Sequence, residues 1–135
     1  MEKNPTMIVV AAALVDEEGR VLLQQRAPGR AMAGLWEFPG GKLEESELPE
    51  TALARELQEE LGIETDAEAL VPAVFASAPL GERHLVLLLY ICRQWRGEPQ
   101  PLDASALQWV TPEEMPVLPM PPADQPLIAL LKALI

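Results

Sequence analysis

The sequence predicts an α/β/α layered domain with a mixed β-sheet, and three observations carry this prediction. Apolar, strand-like runs lie on both sides of one amphipathic helix, and a second amphipathic segment ends the chain. Strands distributed in this way around helices form a sheet with a helix on each face. The length of 135 residues matches one domain with a core of its own. We therefore expect residues 1–135 to form a single domain.

The first part of the chain predicts two strands, a loop and a short third strand. Residues 7–15 are apolar without alternation, as in a strand covered on both faces, and residues 20–26 follow a turn at residues 16–19. Residues 27–34 form the predicted loop. Residues 35–38 form the short strand, which leads towards the central helix.

The central helix is predicted at residues 51–61. Pro49 suits its first turn, and Gly62 suits its C-terminal cap. At about 100° per residue, four apolar side chains share the face that packs on the core. They are Leu53, Ala54, Leu57 and Leu61.

The second part of the chain predicts three strands and the final helix. The strands are residues 69–78, 83–92 and 106–111. A single helical turn at residues 112–115 and a stiff, proline-rich loop at residues 116–122 precede a helix at residues 126–134.

Composition and charge exclude several classes of function. The net charge of -11 argues against a nucleic-acid polymer as partner, because such binding rests on Lys and Arg. Cys92 is the only cysteine and His84 the only histidine, so neither a disulfide framework nor a Cys/His zinc site can form. The apolar runs at residues 7–15 and 85–92 are far shorter than the roughly 20 residues of a membrane span. We expect a cytoplasmic protein with no membrane partner.

Three glutamates on the central helix predict a metal site. Glu56, Glu59 and Glu60 share roughly a 100° arc, separate from the apolar face. Crowded carboxylates repel one another and tend to hold a proton unless a cation neutralises them. Hard oxygen ligands of this kind suit Mg²⁺ or Mn²⁺. A solvated acidic helix face is the alternative for the glutamates taken alone.

The stretch from Gly41 to Ile63 resembles the Nudix box, G-x5-E-x7-R-E-U-x-E-E-x-G-U, in which U is aliphatic. All nine constrained positions match without a gap, which makes the motif specific. The matching residues are Gly41, Glu47, Arg55, Glu56, Leu57, Glu59, Glu60, Gly62 and Ile63. The resemblance implies the Nudix α/β/α sandwich over nearly the whole chain.

The resemblance also implies roles for the residues of the box. Glu56, Glu59 and Glu60 would bind two or three Mg²⁺ ions together with the backbone carbonyl of Gly40. Glu56 or Glu59 would lie nearest the attacking water, and Arg55 would orient the catalytic glutamates. Glu47 would stabilise the loop or assist the metals, and its alternative role is to cap the helix.

Segments outside the box resemble the MutT-type branch of the family. By this resemblance Asp103 reaches the metal site, with an exposed loop acid as the alternative. Arg26, Phe38 and Arg83 would bind the nucleotide. Asp124 lies where that branch binds the base, although MutT carries asparagine there and (d)CTP pyrophosphohydrolases carry aspartate. The alternative role of Asp124 is to cap the last helix.

The predicted function is Mg²⁺-dependent hydrolysis of a nucleoside triphosphate to the monophosphate and pyrophosphate, with Mn²⁺ as an alternative metal. Oxidised dGTP, 8-oxo-dGTP, is the first substrate, and (d)CTP or modified dCTP is the alternative. A catalytically silent, nucleotide-sensing Nudix domain is the alternative of another class, but it would be expected to lack box glutamates, and all are present. The protein is expected to be a monomer or a homodimer.

Overall fold

The computed structural model describes residues 5–135, and in this part of the chain it contains seven strands and two α-helices. The elements are β1 Thr6–Leu14, β2 Val21–Arg26, β3 Trp36–Glu37, β4 Gly40–Lys42, α1 Pro49–Leu61, β5 Val71–Leu80, β6 Arg83–Cys92, β7 Ala104–Val110 and α2 Gln125–Lys132. Two 3₁₀ turns, Ala67–Ala69 and Met115–Val117, complete the described elements. Neither α-helix is long and apolar enough to cross a membrane.

The predicted strands and helices are found with their ends shifted by up to two residues, but two details differ. Strand β4 was not predicted, because Gly40-Gly41-Lys42 carries no strand signal of its own. It becomes a strand because it pairs with β1, where Val10 faces Gly41. The predicted helical turn at residues 112–115 is present, with the Glu114 N–H donating to the Thr111 carbonyl at 2.9 Å, but it continues as a 3₁₀ helix, Met115–Val117, into the predicted loop.

The strands form two sheets. The first has the order β4-β1-β6-β5, and its central strands β1 and β6 run parallel. The second has the order β3-β2-β7 and is antiparallel throughout. The predicted mixed sheet is therefore the four-stranded sheet, and β2 and β7 belong to the other one. A turn connects β1 of the first sheet to β2 of the second, and beside it Val15 forms an antiparallel bridge with Val21.

Side chains of β1 alternate between two cores, which confirms a layer on each side of the sheet. The first core packs against α1 and includes Val10, Ala12, Leu14, Leu53, Leu57 and Leu61, all fully buried. The second core packs against α2 and includes Ala11, Ala13, Val15, Leu127 and Leu131. The uniformly apolar sequence of β1 follows from this double burial.

Helix α1 begins two residues before its predicted start and ends at the predicted residue, Leu61. Pro49 lies in its first turn, and Gly62 adopts a left-handed φ of 73° while its N–H donates to the carbonyl of Gln58 at 2.9 Å. No side chain caps the N-terminus at Leu48. Leu53, Leu57 and Leu61 face the core and are fully buried. Glu56, Glu59 and Glu60 lie on another side of the same helix.

Candidate active site

A cavity of about 550 Å³ lies beside the carboxylates of α1. It is lined by residues from β2, β3, β4, β6 and the segment before α2, so it draws on both sheets. Seven of the predicted site residues line it: Arg26, Phe38, Gly40, Glu60, Arg83, Asp103 and Asp124. The other three, Arg55, Glu56 and Glu59, are on α1 with Glu60 but outside the lining.

Glu60 joins α1 to the cavity. Its Oε1 accepts hydrogen bonds from Gln24 Nε2 at 2.9 Å and from the backbone N–H of Gly40 at 3.2 Å. Burial raises the pKa of Glu60 to about 8, against the opposing effect of these two donors. Glu56 and Glu37 raise it further by repulsion.

Glu56 lies between Glu60 and Arg55. Burial raises the pKa of its carboxyl group, while the guanidinium of Arg55, 3.2 Å from Glu56 Oε2, lowers it. The backbone of β4 approaches so closely that a Cβ on Gly41 would overlap the Glu56 carboxylate. A Cβ on Gly40 would overlap the carbonyl oxygen of Val10 on β1. The glycine pair therefore lets the strand pass directly beside the acids.

Arg55 holds the acids of this region through its planar guanidinium. It donates to both carboxylate oxygens of Glu47, with Nε–Oε2 at 2.8 Å and Nη2–Oε1 at 3.0 Å. This hydrogen-bonded pair lowers the pKa of Glu47 and raises that of Arg55. Arg55 Nη1 is also 3.6 Å from Oε1 of the exposed Glu59. Glu47 does not cap α1, and its Oε1 also accepts a hydrogen bond from the backbone N–H of Glu44 at 3.2 Å in the loop before the helix.

The acids of α1 fit a hard divalent cation. Glu56, Glu59, Glu60 and the carbonyl of Gly40 offer oxygen ligands only, as Mg²⁺ and Mn²⁺ prefer. The charged forms of Glu56 and Glu60, whose pKa values are raised, would be stabilised by a nearby cation. Within residues 5–135, no three His, Cys, Asp or Glu side chains converge closely enough to form a finished metal site.

Asp124 lines the cavity close to strand β3. It is 7% exposed, and burial raises the pKa of its carboxyl group to about 7. Glu37 raises the pKa further, whereas the backbone N–H of Phe38, 3.5 Å from Oδ2, and Arg26 lower it. Asp124 occupies the N-cap position of α2, but its side chain makes no capping hydrogen bond. The carboxyl group is therefore available to the cavity.

Arg26 and Glu37 form a pair at the cavity wall. Arg26 Nη1 donates to Glu37 Oε1 at 2.9 Å, and its Nε donates to the carbonyl of Ala31 at 2.6 Å. Burial raises the pKa of Glu37, and Arg26 opposes that rise. Sequence reasoning missed Glu37 as a site residue. Its signal was an acid in a short apolar strand that leads into the glycine pair.

Asp103 and Arg83 also line the cavity. Asp103 Oδ1 accepts a hydrogen bond from Arg30 Nη2 at 2.7 Å, and both side chains are about half exposed. The ion pair with Arg30 was not expected, because the family resemblance implied a metal-binding role for Asp103. Arg83 Nη2 lies 3.1 Å from the sulfur of Met7.

Comparison with known proteins assigns the family. A family model for the NUDIX domain matches residues 5–131. The chain belongs to the Nudix family. It is 40% identical over 128 residues to the CTP pyrophosphohydrolase of Escherichia coli (strain K12), covering 95% of this chain and 93% of that protein. It is 34% identical over 126 residues to the 8-oxo-dGTP diphosphatase of the same strain, covering 93% and 96%.

A solved structure shares this Nudix fold. The solution structure of the E. coli ORF135 protein has a TM-score of 0.86 at 37% identity, covering 97% of this chain and 91% of that one. The family resemblance and the α/β fold class that the sequence predicted are both confirmed.

Proposed function

We propose that this Nudix hydrolase cleaves a nucleoside triphosphate to the monophosphate and pyrophosphate in the presence of Mg²⁺, with 8-oxo-dGTP as the preferred substrate. One observation carries the proposal: the glutamates of the box on α1 lie beside a cavity that is also lined by Asp124, which is buried and makes no capping hydrogen bond to α2. The box suits the phosphates, and Asp124 suits the base. A nucleotide placed across the cavity would therefore contact both ends of the site.

The residues of α1 would prepare the phosphate end of the site. A divalent cation, when bound, would neutralise phosphate oxygens and lower the pKa of a bound water. Glu56, Glu59, Glu60 and the Gly40 carbonyl would hold it, and Glu56 or Glu59 would accept the proton of the attacking water. Arg55 would keep Glu56 and Glu59 in place, since its guanidinium lies 3.2 Å and 3.6 Å from their carboxylates.

Cationic side chains would receive the rest of the nucleotide. Arg83 lines the cavity with only a methionine sulfur as a hydrogen-bond partner among residues 5–135. Arg26 also lines the cavity, but Glu37 and the carbonyl of Ala31 already occupy its guanidinium. Arg83 is therefore the better candidate for a phosphate contact, and Arg26 for fixing the position of Glu37.

Asp124 would bind the base through its carboxyl group, and the protonation state of that group would decide which base it complements. An ionised carboxylate only accepts hydrogen bonds, and guanine presents two adjacent donors, N1–H and the exocyclic amine. The ionised form therefore complements an oxidised guanine. Phe38, which is 3% exposed, lines the same cavity and contributes apolar surface to it.

CTP or a modified dCTP is the second candidate, and two observations favour it. Cytosine presents an amine beside the acceptor N3, which a protonated carboxyl group complements. With a pKa of about 7, Asp124 carries that proton in a substantial fraction of molecules at neutral pH. The relative named CTP pyrophosphohydrolase is also 40% identical to this chain.

A substrate screen tests the proposal. The purified protein would be assayed with Mg²⁺ against 8-oxo-dGTP, dGTP, CTP, dCTP and 5-substituted dCTP, and kcat/KM would be compared. The proposal expects 8-oxo-dGTP to exceed dGTP and the cytidine nucleotides. A clear preference for a cytidine nucleotide would establish the second candidate, and absence of turnover with every triphosphate would refute both.

A further inference from the structure

Gln24 is an unusual residue for its place in the fold. It follows Val21, Leu22 and Leu23 in β2, all fully buried, and is itself only 4% exposed. Among the described residues, it and Asp124 are the polar or charged side chains found in the buried class. A buried amide is costly unless its donors and acceptors are satisfied. Its contacts therefore indicate what the residue does.

The amide of Gln24 is only partly satisfied. Its Nε2 donates to Glu60 Oε1 at 2.9 Å, whereas its Oε1 is buried and has no hydrogen-bond partner within the described part of the chain. An apolar residue of similar size would avoid that unpaired oxygen. The stability of β2 thus gives no reason for an amide here, but its contacts with acids do. Gln24 donates to Glu60 at 2.9 Å, and a hydrogen bond from Gln24 also lowers the pKa of Glu37.

Two donors converge on one oxygen of Glu60. Gln24 Nε2 and the backbone N–H of Gly40 both bind Oε1, from β2 and β4 respectively. Neither of these donors binds Oε2. Two donors on one oxygen fix the orientation of the carboxylate and leave Oε2 without a donor from β2 or β4.

We propose that Gln24 is a positioning residue for the metal ligand Glu60, whose Oε1 it holds so that Oε2 faces the cation. This inference rests on the proposed function, because it takes Glu60 to be a metal ligand. Gly40 contributes its donor through the backbone, which no substitution at that position removes unless it is proline. Substitution of Gln24 therefore removes one of the two hydrogen bonds that orient Glu60 without altering any metal ligand.

The test measures metal affinity in the absence of any nucleotide. Binding of Mn²⁺ to the substrate-free protein would be followed by electron paramagnetic resonance, for wild type and Gln24→Met. Methionine preserves the volume and removes the donor, so the dissociation constant for Mn²⁺ should rise by about 10- to 100-fold. The melting temperature of the metal-free protein should change little.

Gln25→Met is the matched control. Gln25 is the next residue of β2, and its Nε2 donates to the carbonyl of Gly34 at 3.2 Å rather than to an acid. Its substitution should leave the Mn²⁺ affinity unchanged. An equal loss of affinity in both variants would show that β2 acts through general packing and would overturn the proposal.

A double variant tests whether Gln24 acts through Glu60. In a Glu60→Gln background, Gln24→Met should change the Mn²⁺ affinity by no more than about twofold, because the effects of two residues that act through one contact do not add. A full additional loss in that background would refute the role assigned to Glu60.

If Gln24→Met does not fold, Gln24→Asn serves instead, since it keeps the amide but is one methylene too short to reach Glu60. A folded Gln24→Asn with wild-type affinity would also refute it.

Failure of this proposal is distinguishable from failure of the proposed function. Absence of triphosphate hydrolysis in the wild type would refute the function, while a loss of Mn²⁺ affinity in Gln24→Met would still support the positioning role. Normal hydrolysis with an unchanged Mn²⁺ affinity in Gln24→Met would refute the positioning role alone.

Discussion

Arg55 and Glu47 are joined by two parallel hydrogen bonds of 2.8 Å and 3.0 Å, which connect helix α1 to the loop before it. The same guanidinium lies 3.2 Å from Glu56 and 3.6 Å from Glu59. Glu47 therefore fixes the arginine, and the arginine fixes the two glutamates. Two box positions separated by seven residues thus serve one purpose.

The first prediction concerns this pair. Glu47→Gln should lower kcat on the order of 10-fold with KM little changed, because an amide cannot accept both guanidinium hydrogen bonds. Arg55→Lys should have a similar effect, since an ammonium lacks the planar fork. Steady-state kinetics on the single and double variants would check this. If the two losses multiply in the double variant, Glu47 and Arg55 do not act as a pair.

The second prediction concerns the helix glutamates. Glu56→Gln and Glu59→Gln should each lower kcat by orders of magnitude, because the amide keeps the volume but loses the charge that holds a cation. Circular dichroism should show an unchanged fold. Glu45→Gln is the control, since Glu45 is exposed and lies outside the constrained positions of the box. Near-wild-type turnover in a folded Glu59→Gln would contradict the assignment of this helix face.

The sequence predicted the parts of the site that depend on local structure, and it missed the parts that depend on contacts between distant segments of the chain. The box fixed Glu56, Glu59 and Glu60 on one helix face, because their spacing within a helix determines their directions. The convergence of Gln24 and Gly40 on Glu60 was not predictable, since it depends on how β2 and β4 approach α1. Strand β4 was missed for the same reason, because its hydrogen bonds come from β1. The partner of Asp103, Arg30, lies 73 residues away in the chain.

The third prediction concerns base preference and pH. Asp124 has a raised pKa of about 7, so its ionised fraction grows as the pH rises through that value. The ionised form complements guanine and the protonated form cytosine. The ratio of kcat/KM for 8-oxo-dGTP to that for CTP should therefore rise several-fold between about pH 6 and about pH 8. Titrations of the shared triphosphate and metal site largely cancel in this ratio.

Asp124→Asn provides the control for the pH prediction. Its amide does not titrate, so the ratio between the two substrates should become nearly independent of pH. A wild-type ratio that is already flat, or a variant ratio that changes as much as the wild type, would show that another group binds the base.

The fourth prediction links Asp124 to stability. Its carboxyl group has a higher pKa in the folded protein, so its neutral form is favoured on folding. Its stabilising contribution is therefore complete below about pH 4 and is lost as the pH rises to about 7. A shift from 3.8 to about 7 corresponds to at most about 4 kcal/mol.

Urea unfolding would measure this effect. The difference in unfolding free energy between Asp124→Asn and wild type should shift in favour of the variant by a few kcal/mol from about pH 4 to about pH 8. An equal difference at both pH values would mean that the buried carboxyl group does not titrate differently in the folded and unfolded protein.

The most direct test of the central claim is product analysis in ¹⁸O-labelled water. With Mg²⁺ and the best triphosphate from the screen, the proposed function predicts a nucleoside monophosphate and pyrophosphate as primary products, with one ¹⁸O incorporated per cleavage and no diphosphate intermediate. Orthophosphate and a nucleoside diphosphate as the primary products would contradict it.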